Sequence, residues 1–149
     1  MTTFALNGPW EVEFHHIDGT TKTAAMPTLT DLKENPGYSA FTGTVLYRIT
    51  FTAENGALWK YINLGKVAGV SGLSVNGHDA GIQWYGRRVY RIDNLLQSGQ
   101  NVLEIKVVTT MGNYMKTLKD NGIAQKWTNE KRQDQPIQSM GLLGPVILY

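Results

Sequence analysis

Trp84-Tyr85-Gly86-Arg87-Arg88 gathers two aromatic rings, a glycine and two guanidinium groups within five residues. Those are the types that carbohydrate recognition needs, a flat ring face for the sugar's C–H bonds and fixed polar groups for its hydroxyls. Arginine offers only donors, in a planar fork that also matches a carboxylate. Two arginines beside two aromatics therefore lean toward an acidic or pectin-type glycan. Asn113 and Tyr114, with Lys116 nearby, are the candidates to complete such a site from a second segment. The plainer alternative makes Trp84 core at a strand end, the arginines solvated, and 113–116 an ordinary polar loop. Trp127 stands open between loop anchor and exposed platform, whereas Trp10 and Trp59 fall at inward positions.

Other chemistries find little footing. His15-His16 point to opposite faces of one strand end, and neither these nor His78 has the cysteine or carboxylate company of a metal site. The carboxylates Asp18, Asp31, Asp79, Asp93 and Glu104 are scattered, and no spacing marks out the pair that a glycosidase uses. Ser39, Ser71, Ser74, Ser98 and Ser139 lack a nucleophile-elbow context. No cofactor is expected. A structural calcium ion held through Asp18 or Asp31 is the weaker alternative.

The elements that must position these residues read as strands. Val45, Tyr47, Ile49 and Phe51 alternate with Leu46, Arg48 and Thr50, which is the period of a half-buried strand. Trp10, Val12 and Phe14 set the same pattern earlier, and Leu103, Ile105 and Val107 set it later. Asn76-Gly77 after Leu73-Ser74-Val75 predicts a tight hairpin, because both residues tolerate positive φ. Further strands are expected over 20–25, 58–64, 70–75, 80–84, 89–92 and 142–149, with Pro145 marking an edge or bulge. The expected fold is all-β, a two-layer antiparallel β-sandwich of eight to nine strands. Residues 26–42 and 110–139 are expected as long loops.

Composition bounds the class. At 149 residues the chain fits one domain with its own core, here 1–149. Charged residues make up 17%, against about 25% in typical domains. Fourteen basic and 12 acidic residues leave a net charge of +2, too balanced for nucleic acid or an anionic membrane as principal partner. Cysteine is absent, so there is no disulfide framework. No basic patch followed by an apolar run marks a signal peptide at the N-terminus.

In order along the chain the motifs resemble the sugar-binding jelly-roll domain of family-two-type glycoside hydrolases, a galactose-binding-domain-like fold. Similar domains accompany bacterial α-L-rhamnosidases and β-galactosidases. The resemblance rests on Gly8, Trp10 and Phe14; on Tyr38, Gly43, Tyr47, Arg48 and Phe51; and on Leu64 to Val67. It continues through Val75-Asn76-Gly77, Gly81 and Trp84, then Leu95, Leu96, Gly99, Asn101, Leu103, Ile105 and Val107. It closes on Gly141, Leu142, Gly144, Pro145 and Val146. Two positions depart from the pattern. A proline common after the tryptophan is replaced by Tyr85-Gly86-Arg87-Arg88, and an Asn-Arg cluster appears as Asn113-Tyr114-Met115-Lys116.

The resemblance implies a non-catalytic carbohydrate-binding or accessory domain, part of a larger periplasmic or extracellular bacterial hydrolase. Its partners would be a saccharide and the catalytic domain of the same polypeptide. The alternatives are a structural module that packs against a catalytic domain without binding sugar, and an independent hydrolase.

Overall fold

The structure, a computed structural model, describes residues 3–35, 37–38, 41–53, 58–84, 86–109 and 139–149. Two antiparallel sheets face each other. The larger contains β3 (Thr21–Met26), β2 (Trp10–His16), β4 (Gly43–Ala53), β10 (Gly99–Val108), β7 (Val70–Val75) and β8 (His78–Gln83), side by side in that order. The smaller runs β1 (Phe4–Ala5), β12 (Ile147–Leu148), β5 (Tyr61–Asn63), β9 (Val89–Arg91). A two-stranded ribbon pairs β11 (Gly141–Gly144) with β6 (Lys66–Ala68). The all-β sandwich read in the sequence is the fold observed.

The period-two pattern decides what lies between the sheets. Val45, Tyr47 and Ile49 from β4, and Leu103, Ile105 and Val107 from β10, are buried with Trp10, Val12 and Phe14. The smaller sheet contributes Ile62, Tyr90 and Leu148 from the other side. Pairing Ile105 with Tyr47, and Tyr47 with Val12, puts this alternation in register across three strands. A one-residue slip would turn each set to solvent.

Asn76 and Gly77 carry φ of 50° and 82°, the two positive values that a tight β7–β8 turn requires. The Asn76 side chain then ties the turn to its surroundings. Its Nδ2 donates to Leu95 O and to Asn101 Oδ1, and its Oδ1 accepts from Val102 N.

Three expectations are corrected. Residues 26–42 are not a surface connection throughout. Leu32 sits fully buried in a 3-10 turn (Leu32–Glu34), and Tyr38 stacks on Phe14 at 4.3 Å between ring centroids. Asp31 holds that turn, its carboxylate accepting from Lys33 N and from Met140 N, 109 positions away. Burial alone would raise the Asp31 pKa, but hydrogen bonds from Ser139, Met140 and Lys33 outweigh it and leave it lowered. The expected strand 58–64 is only Tyr61–Asn63, and the expected strand 142–149 is two. The second expected loop falls almost wholly on 110–138, outside the described residues.

Tyr47 links the β11 segment to the core. Its hydroxyl accepts a hydrogen bond from Leu142 N at 3.1 Å, and burial pushes its pKa up to about 12 despite that bond. In an unfolded chain a tyrosine ionises near pH 10. Between these two values the unfolded state binds fewer protons than the native state, so stability falls as pH rises. Below pH 10 the contribution is intact. Urea titrations from pH 9 to 12 should show this alkaline loss, and Tyr47→Phe should flatten it. An identical pH slope in the two proteins would count against the assignment.

Candidate functional site

β8 is the outermost strand of the larger sheet, and the chain leaves it to cross to β9 at the edge of the smaller one. An open strand edge is an aggregation hazard that proteins blunt with bulges and charges. Here Leu73 pairs with Gly81 while Ser74 pairs with Asp79, so Ala80 is the extra residue of a bulge. Asp79 Oδ1 accepts from Gly81 N at 2.8 Å and fixes the bend, where Gly81 has φ of 119°.

Beyond the bulge the alternation resumes. Ile82 and Trp84 are exposed, at 64% and 73%, while Gln83 between them turns inward. Gln83 Nε2 donates to Val89 O at 2.6 Å, closing the base of the 84–88 excursion. Trp84 is therefore not strand-end core. It stands in solvent, with exposed Gly86 and Arg87 on the same short crossing.

Arg88 behaves oppositely to its neighbour. Only 5% of it is exposed, so it is neither a solvated arginine nor an open fork for a ligand. Its Nη1 donates to Ser71 Oγ and to Gln83 O, both at 3.0 Å, and its Nη2 donates to Trp84 O at 2.9 Å. Ser71 Oγ in turn shares a 2.7 Å hydrogen bond with Tyr90 OH, which also donates to Ser71 O. This cluster joins β7 of one sheet to β9 of the other. Burial raises the Tyr90 pKa, against the lowering effects of Ser71 and the Arg88 charge. Tyr85, Asn113, Tyr114 and Trp127 lie outside the described residues.

A groove of about 470 Å³ opens near the opposite edge of the same sheet, lined in part by Glu11, Glu13, Thr23, Ala25, Leu46 and Arg48. Its two carboxylates were not singled out in the sequence. They belong to one face of β2, two residues apart, with Glu13 against His15 at 2.5 Å and Glu11 at 3.9 Å from Arg48. The Glu11 side chain is 81% exposed. A glycosidase acid needs a desolvated carboxyl beside an ionised one, and neither of these solvent-facing groups is desolvated.

Among the described residues no three or more His, Cys, Asp or Glu side chains gather as a metal site. Asp18 accepts from Thr20 N and Thr20 Oγ1, and Asp31 from the backbone, so both candidate calcium ligands point at protein donors. No described helix is long and apolar enough to cross a membrane.

No protein-family model matches the chain. A rhamnosidase from Novosphingobium sp. superposes on all of it with a TM-score of 0.77 and 27% identity, using 15% of its own length. By fold, this is a jelly-roll domain of the glycoside hydrolase kind. A GH2 β-galacturonidase from Eisenbergiella tayi aligns with 99% of the jelly-roll domain at a TM-score of 0.68 and 15% identity, over 24% of that chain. A protein of Formosa agariphila named "Putative beta-glucuronidase" is 31% identical over 116 residues, 72% of the jelly-roll domain and 10% of that protein. The domain thus spans between a tenth and a quarter of the proteins it matches.

Proposed function

We propose that the chain is a non-catalytic accessory domain of a glycoside hydrolase and binds a saccharide at the β8–β9 crossing. The observation that carries this reading is Trp84, a large ring standing free at the end of an ordered strand. Its ring offers an apolar face to a ligand and an N–H for a polar partner. Stacking of a pyranose on its face would supply affinity, and Arg87 beside it would supply a cation for a uronate carboxylate. Several similar proteins are named as uronidases, which supports an acidic sugar. Tyr85, Asn113 and Tyr114 remain proposed neighbours, and the catalytic domain of a longer polypeptide remains the proposed covalent partner. Transport to the periplasm or outside the cell belongs to the same proposal.

Calorimetric titration with trigalacturonic acid and methyl rhamnoside tests it. Trp84→Ala should weaken the better ligand at least tenfold, roughly 1.4 kcal/mol or more. Its Tm should stay near wild type, since exposed side chains contribute little to folding. Binding unchanged by Trp84→Ala, or no heat with either sugar, would remove the reading.

Ile82 favours a second reading. With Trp84 it forms an exposed apolar stripe on a sheet edge, suited to packing against a neighbouring module. Under that reading Ile82→Asp and Trp84→Asp release the domain from its catalytic partner while isolated sugar goes unbound.

A further inference from the structure

We infer that Arg88 is a positioning residue, a buried cationic clamp that holds Trp84 in its outward pose. This rests on the reading of Trp84 as a saccharide platform and adds the group that preorganises it. The argument begins from what Arg88 costs. A guanidinium taken out of water without a carboxylate is unfavourable, and no described carboxylate pairs with it. Its Nε also has no hydrogen-bond partner, and neither does the buried Gln83 Oε1. A well-packed apolar side chain would serve folding as well or better.

Ser71 does not depend on the clamp for satisfaction, since its Oγ keeps Tyr90 OH at 2.7 Å. What only Arg88 does is grip two successive carbonyls, Gln83 O and Trp84 O, at the strand's last residue and the one after it. A planar fork does this from two nitrogens held in fixed geometry, whereas an ammonium is one compact point of donation on a flexible stem. Trp84 lies just past the last ladder pair of β8, and exposed Gly86 (φ 74°) would let the crossing swing. Fixing those carbonyls fixes the Trp84 backbone, so the ordering cost of a platform is met before ligand arrives.

The test uses the full chain labelled with 5-fluorotryptophan, with the Trp84 ¹⁹F resonance assigned by Trp84→Phe. Arg88→Met should leave the resonances of Trp10 and Trp59 in place and sharpen and shift that of Trp84 toward a mobile indole. Affinity for trigalacturonic acid should fall about tenfold, as expected when a preorganised contact is loosened. An unchanged Trp84 resonance with unchanged affinity, in a folded protein, overturns the inference. Should Arg88→Met fail to fold, Arg88→Lys takes its place. Retaining the charge but not the fork, it should still mobilise Trp84, and a wild-type resonance there would equally overturn the clamp. If wild-type protein binds none of the sugars yet Trp84 loosens in Arg88→Met, the clamp stands and the saccharide reading falls.

Discussion

Tyr47→Ala is expected to lower the unfolding free energy by about 3–5 kcal/mol, the range for truncating a large buried aromatic. Tyr47 is fully buried, opposed by Val12 on one neighbouring strand and Ile105 on the other. Removing its ring leaves a cavity at the centre of the larger sheet, and removing its hydroxyl orphans Leu142 N. Tyr47→Phe separates the two, since it keeps the ring and should cost only about 1–3 kcal/mol for the unmet donor. Urea unfolding of the three proteins measures both. A Tyr47→Ala loss no larger than that of Tyr47→Phe would show the ring contributes no packing.

Gly65→Ala should be as damaging for a different reason. Gly65 has φ of 71°, and a Cβ there would lie 2.4 Å from Gly144 C and 2.5 Å from both Gly144 O and Pro145 O. All three are backbone atoms, so neither rotamer change nor a flexible neighbour offers relief. Gly77 provides the control. Its φ of 82° is similar, but nothing lies within 4 Å of a Cβ added to it. Gly77→Ala should therefore show only the conformational penalty, about 1–2 kcal/mol, and Gly65→Ala that penalty plus the clash, more than about 3 kcal/mol. Equal losses in the two variants would refute the close approach of β6 and β11 as its cause.

The contrast between these glycines also shows what a sequence can convey. Gly77 was legible because Asn76 precedes it and alternating residues flank it, all local signals. The long alternation of β4 and β10 was legible for the same reason. β1 and β6 were not, being two and three residues long, too short to express a period. The burial of Leu32 could not be read either, because Met140 stabilises its turn from the far end of the chain. At the candidate site, residue type drew attention to 84–88 but could not separate an exposed side chain from a buried one. Trp84 and Arg88 exchanged the places their chemistry suggests, the apolar ring outside and the cation inside. Partners on β7 and β9 decide that, and no window around residue 88 contains Ser71.

Phe4 faces Leu148 across the β1–β12 ladder, and the two strands run antiparallel. Chain entering β1 and chain leaving β12 therefore emerge side by side, at the same end of the ladder. Mechanical load applied through both would open this pair rung by rung, like a zipper, instead of shearing all its hydrogen bonds together. With only two residues in each strand, the first yielding event under tension would be the peeling of β1, while the six-stranded sheet that carries Trp84 stayed closed.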